Sequence, residues 1–332
     1  MYISIYADKT PDILSELAET PEMKRLSDIG MHCGCEYAKF PIYQQAKSHY
    51  SRLMHSIGVA KIVWNFTKDI KQAVAGLFHD ISTPVFAHTI DFLNGDHIEQ
   101  QSTENKTLLF IQNSKSITAL LKRYNIRLDD VSDYHKYPVA DNDTPMLSAD
   151  RLEYTLGNGY IVHNLNLSEI QDIYNDLIVV KNENDIDELC FKSIIYAKKL
   201  VEISLRNSYW FVSDEDRFSM QYLADMIRYA VQNNILSYED LFTTESRVIQ
   251  KLKSHSKTFE LWEKYTNISA VASTDKKDPD LYCVNISAKK RYINPLVLIE
   301  NTPARISDAD PLIREEIEKF LSLDFDKWIY IN

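Results

Sequence analysis

Two apolar stripes constrain this chain more than anything else in it. Leu53, Ile57, Ala60 and Trp64 recur at the spacing of one helix face, and Ile70, Val74, Leu77 and Ile81 repeat the pattern in the next segment. Stripes of this kind must be buried, which predicts two consecutive helices packed face to face. Yet the second stripe runs into Gly76-Leu-Phe-His79-Asp80-Ile-Ser-Thr-Pro-Val-Phe-Ala-His88, and His55 lies near the first. An imidazole and a carboxylate side by side, where the pattern reads core, are costly to bury unless something pairs with them.

Glycine is scarce, 7 in 332 residues, and helix formers are plentiful, which favours helices over a turn-rich β fold. A chain of this length buries a core without disulfides or structural metals and suggests one large domain or two. The net charge of −11 argues against nucleic acid and anionic membranes as partners, because phosphate backbones need a basic face. Four irregularly spaced cysteines, Cys33, Cys35, Cys190 and Cys283, fit a reduced cytoplasmic protein. The opening residues lack a signal-peptide pattern, and no apolar run approaches the ~18 residues of a membrane span.

The expected architecture is mainly α, with a small β or α+β part near the C-terminus. Residues 2–6 alternate like a short strand. Thr20 is a plausible N-cap before Pro21, with Gly30 as a stop. Residues 105–114 and 116–126 read as helices. A loop enters a helix near Asp150 that breaks at Gly157-Asn158-Gly159. Residues 166–266 are helical in pattern, with a polar break at 181–187. A charged stretch at 273–280 is a linker, 281–287 and 291–300 read as strands, and 311–323 is a final amphipathic helix. The domain reading is 1–165 and 166–332. No P-loop, Gly-rich dinucleotide loop or nucleophile elbow is present.

His55 precedes His79 by 24 residues, which is one helix, a turn and most of a second. Antiparallel packing therefore brings the two imidazoles together. Asp150 sits at a half-buried helix start. Two imidazoles and two carboxylates form a nitrogen–oxygen set suited to Mn, Fe, Zn or Ni ions. The alternative is a set of core histidines satisfied by hydrogen bonds.

The motifs, in order, are a Thr-Pro-x-x-x-Arg-Leu helix, Phe40-Pro41, Arg52-x-x-His55-Ser-x-Gly-Val, His79-Asp80 through Phe86-x-His88, and Asp150-Arg151-Leu-x-Tyr154. Together they resemble the HD-domain phosphohydrolases, most closely the deoxynucleoside triphosphate triphosphohydrolase branch. The resemblance covers residues 20–154, with weaker support from 290–297. It implies a HD-domain helical core and His55, His79, Asp80 and Asp150 as ligands of a divalent transition metal, with Mg accompanying a nucleotide. It further implies His88 as the acid that protonates the leaving oxygen, its pKa raised by a neighbouring carboxylate, for which Glu104 is the candidate. Asp80 would also orient the attacking water. Arg52, Arg151 and Tyr154 would contact phosphates, and the active form would be a homo-oligomer.

Four positions depart from that branch. Thr83 stands where a second histidine is usual, Thr103 before Glu104 where His-Glu is usual, Gly157-Asn158 where Arg-Asp is usual, and Met31-His32 where Gln-Leu is usual. The ion site is intact while the groups that read the substrate differ. The expected function is therefore a metal-dependent phosphohydrolase of a nucleotide or related phosphate ester. The rival is a catalytically weakened nucleotide-sensing or interaction protein.

Overall fold

A computed structural model describes residues 2–94 and 106–332 of the chain. Ser51 accepts from the Met54 amide and starts the Arg52–Thr67 helix. Lys68 takes a left-handed φ of 53° at its end, and Asp69 caps the Ile70–Phe78 helix by accepting from the Lys71 and Gln72 amides. The two predicted stripes thus fold back on each other. Their approach is close because Gly76 has no side chain: a Cβ there would stand 3.3 Å from methyls of Val59 and Val63.

The Ala149–Ile161 helix packs across the Arg52–Thr67 helix, and the Ile194–Phe211 helix packs behind it. The expected break at Gly157-Asn158-Gly159 does not occur, because the helix runs straight through. A Cβ on Gly157 would collide with the phenol oxygens of Tyr50 and Tyr2, so this glycine serves close packing rather than termination. Tertiary contact overrides the weak helix propensity of glycine.

Residues Tyr2–Ile5 form a 3₁₀ turn instead of a strand. Tyr2 and Tyr6 are both buried, four residues apart, so a turn satisfies the same alternation. Thr20 precedes Pro21–Lys24 as expected, but its hydroxyl donates back to Leu17 O at 2.6 Å and caps nothing.

The polar break at 181–187 is the turn of a hairpin, not a gap between helices. Strands β1 (Leu177–Lys181) and β2 (Asp187–Phe191) pair antiparallel, with the Asn182 amide oxygen accepting from Asn184 and Ile186. The run Leu-Ile-Val-Val is short and β-branched, which favours strand over helix. Further strands are β3 (Val271–Thr274), β4 (Cys283–Val284), β5 (Leu296–Ile299), β6 (Thr302–Arg305) and β7 (Trp328–Ile331). They make two sheets, β1-β2-β5-β6 and β3-β7-β4, with β2 and β5 parallel. The architecture is mainly α and of the HD type, with sixteen α-helices among the described residues and small sheets toward the C-terminus. No helix among the described residues is long and apolar enough to cross a membrane.

Candidate metal centre and its cavity

His55 sits in the first turn of its helix and is buried, while His79 ends the neighbouring helix with Asp80 directly after it. Asp150 lies in the first turn of the Ala149–Ile161 helix, which Ser148 caps through the Arg151 amide. The three elements bring these side chains to one point. The two Nε2 atoms are 3.1 Å apart. Asp150 Oδ1 is 2.9 Å from His55 Nε2 and 3.7 Å from that of His79. Asp80 Oδ2 is 3.4 Å from His79 Nε2 and 3.9 Å from His55 Nε2. Ligating atoms of His55, His79 and Asp80 lie within 4.8 Å of one another.

The other ring nitrogens decide what these imidazoles can do. His79 Nδ1 donates to the Gly76 carbonyl at 2.7 Å, and that oxygen can only accept. His55 Nδ1 donates at 2.5 Å to Glu153, a fully buried carboxylate that also accepts from Tyr2 and Tyr50. Both neutral rings therefore aim an Nε2 lone pair at the same point. Two lone pairs facing across 3.1 Å repel unless a cation stands between or beside them. Without a metal ion that cation is a proton. Burial pushes His55 down, but its bonds to Asp150 and Glu153 carry it to about 10. Burial pushes Asp80 up, yet Arg52 and the two imidazoles hold it well below the usual carboxylate range. Burial likewise opposes ionisation of Asp150, and His55 brings it to about 2. A site that gathers positive charge this strongly fits a divalent ion, which displaces the proton on binding.

The centre forms part of the wall of a cavity of about 860 Å³, within the usual range for sites that enclose whole small molecules. Arg52 lines it and donates through Nη1 to both oxygens of Asp80, at 3.0 and 3.3 Å. Thr83 donates to Asp80 Oδ1 at 2.7 Å and so helps fix that carboxylate. Arg151 also lines the cavity, but its guanidinium is clamped by Asp141, Ser148 and both the side chain and carbonyl of Asn142. Tyr154 is half-buried against Phe211, with its hydroxyl pushed up to about 12 by burial.

His88 faces the same cavity, and its Nδ1 is 2.9 Å from Asp91 Oδ2. The carboxylate beside it is therefore Asp91, three residues on; Glu104 and Thr103 lie outside the described residues. The expected upward shift of His88 is not found. Burial lowers its pKa, and the charges of Arg291 and Arg52 add to that, outweighing Asp91.

Several site residues escaped the sequence reading. Glu153 had a signal: it shares a helix face with Asp150 three residues earlier, inside an otherwise apolar stripe. Gly58, read only as part of a motif, leaves room for it: a Cβ there would lie 2.6 Å from the Glu153 side chain. Asp91 is one turn beyond His88. Asp216 and Arg291 come from distant segments; Asp216 carried no local mark, and Arg291 was noted only within the resembling run near the C-terminus. Asp216 accepts from Tyr43 at 2.5 Å, and burial lifts it to about 8. His32 and Asn158, both noted as departures, pair with each other at 3.0 Å in the cavity wall.

The chain thus has a mainly α fold around a His-His-Asp cluster able to hold a metal ion. No family model matches the chain. The chain is 26% identical over 307 residues to the uncharacterized protein YdhJ of Bacillus subtilis, spanning 91% of this chain and 89% of that one. It is 24% identical over 165 residues to the metal-dependent phosphohydrolase cns2 of Cordyceps militaris, spanning 50% of this chain and 46% of that protein. Its fold is similar to that of a hypothetical protein from Aquifex aeolicus, with a TM-score of 0.67 at 18% identity over 97% of this chain and 93% of the other. It is also similar to a phosphohydrolase from Bacteroides thetaiotaomicron, with a TM-score of 0.64 at 16% identity over 97% and 95%.

Proposed function

We propose that this protein is a metal-dependent phosphohydrolase acting on a nucleotide or a related phosphate ester. The observation that carries the reading is the pair of tethered imidazoles. Each has its Nδ1 proton committed, and their Nε2 atoms converge 3.1 Å apart between two carboxylates in a cavity wall. The cns2 similarity, though it covers half the chain, supports the same class. His55, His79, Asp80 and Asp150 would hold one divalent ion, of the Mn, Fe, Zn or Ni kind. When bound, such an ion supplies Lewis acidity toward a phosphoryl oxygen and acidifies water.

The chain's own residues do the rest. Arg52 and Thr83 fix both oxygens of Asp80, so that carboxylate keeps one orientation while it positions water. The proton on His88 Nδ1 is committed to Asp91, which leaves Nε2 as the atom that exchanges a proton with the leaving oxygen. An incoming phosphate offsets the Arg52 and Arg291 charges that hold His88 down, so substrate itself favours the protonated, acid form. Tyr154 and the aromatic wall at Phe211 suit a planar base or another apolar body.

The test is a panel of divalent metals against nucleotides and simple phosphate esters, with elemental analysis alongside. Expected is stoichiometric metal, metal-dependent phosphate release, and loss of both in Asp80→Ala. A protein that takes up no divalent ion, or an Asp80→Ala variant that keeps full metal and turnover, overturns the reading.

A further inference from the structure

Three arginines line the cavity, and two of them are committed. Arg52 holds Asp80, and Arg151 is clamped by Asp141, Asn142 and Ser148. The third, Arg291, lines the same cavity with no hydrogen bond or ion pair among the described residues. Its surroundings hold it there. The next residue back, Lys290, donates to the carbonyls of Leu321 and Leu323 at 2.6 Å each and lies over the Phe325 ring. Two residues on, Ile293 is buried, and the Asn294 amide donates to Pro145 O at 2.8 Å. The segment is thus pinned on both sides of Arg291, while Arg291 itself, half-buried, has no partner among the described residues. It lines the cavity together with His88 and Tyr154.

A guanidinium without a partner among the described residues is conspicuous in a chain with 48 acidic and 37 basic residues. Its planar fork of donors matches a phosphate or a carboxylate in two parallel bonds, which a lysine cannot imitate. The cavity has room for more than one phosphoryl group.

We propose that Arg291 is a specificity-determining residue that binds a second anionic group of the substrate, apart from the phosphate at the metal centre. This rests on the phosphohydrolase reading above for the position of the first phosphate. On it, the preferred substrate carries two anionic groups, and the segment between β4 and β5 supplies the cation that selects it. With no partner among the described residues, Arg291 keeps its donors available to the ligand, and binding then satisfies them.

Calorimetry on the full chain, loaded with Mn²⁺, tests this with orthophosphate, pyrophosphate and phosphonoacetate. The wild type should prefer a two-anion probe over orthophosphate. Arg291→Ala should reduce that preference 10–100-fold, and Arg291→Lys should restore only part of it. Pyrophosphate as the tighter probe identifies the second group as phosphate, and phosphonoacetate as the tighter probe identifies it as carboxylate. Arg291→Ala should melt within a degree or two of wild type, because no bond within the described chain is lost. An unchanged preference in Arg291→Ala, or no preference in the wild type, overturns the proposal. The two readings fail separately. Phosphate-ester hydrolysis with an unaffected preference sinks only this one. An Arg291-dependent preference in a protein that hydrolyses nothing sinks only the hydrolase.

Discussion

Replacing Glu153 by glutamine tests whether the buried carboxylate orients His55 for a metal. Glu153 is wholly buried and receives Tyr2 on Oε1 at 2.6 Å, and Tyr50 and His55 Nδ1 on Oε2, both at 2.5 Å. Glutamine keeps one acceptor oxygen, which can stay toward His55 and Tyr50, and turns an amide NH₂ toward Tyr2, whose hydroxyl can rotate and accept. His55 then keeps a neutral acceptor but loses its carboxylate, and charge-assisted bonds give way to weaker neutral ones. Losing the carboxylate partner of a ligating histidine weakens metal affinity about 10–100-fold, or about 1.4–2.7 kcal/mol. Tyr2→Phe is the matched control, since it removes a bond to Oε1 and leaves His55 untouched. Chelator competition should show Glu153→Gln weakened over that range and Tyr2→Phe unchanged, while thermal melts fall for both. Wild-type metal affinity in a folded Glu153→Gln variant would refute the orienting role.

Three further outcomes are expected. His88→Ala should keep its metal and lose roughly 10²–10⁴-fold in turnover on a substrate with a poor leaving group, with a smaller loss on p-nitrophenyl phosphate; undiminished turnover on the poor leaving group excludes the acid role. Gly58→Ala should be far less stable in thermal melts than Gly76→Ala, because its Cβ would lie 2.6 Å from Glu153 whereas that of Gly76 meets valine methyls at 3.3 Å; equal melts would contradict the packing argument. Burial, with Glu36 nearby, raises the Glu245 carboxyl from 4.5 to about 8. The folded state therefore holds this proton more tightly, and that contribution to stability is full below pH 4.5 and lost as the pH rises toward 8. Melting curves from pH 5 to 8.5 should fall less steeply for Glu245→Gln, and parallel curves would show that Glu245 does not titrate in this window.

Local pattern alone determined much of this protein. The two stripes and the 24-residue step between His55 and His79 depend on interactions within a few turns, so they could be read in order along the chain; the Ser51 and Asp69 caps that bound their helices are equally local. The mainly α class and the meeting of His55 with His79 and Asp80 follow from them. What the chain does with its glycines and short apolar runs was decided in three dimensions. Gly157 reads as a breaker until Tyr2 and Tyr50 arrive from the N-terminal segment to fill its space. Leu177–Lys181 reads as helix until β2 offers a ladder, itself extended by β5 from more than a hundred residues on. Helical spacing could suggest that His88 and Asp91 share a face, but only the fold turns both toward the cavity wall. The motif around Arg291 could be read locally, but not its place in the cavity wall. A side chain's partner, or its lack of one, is a property of the space around it, and that space is assembled from segments the chain brings together only on folding.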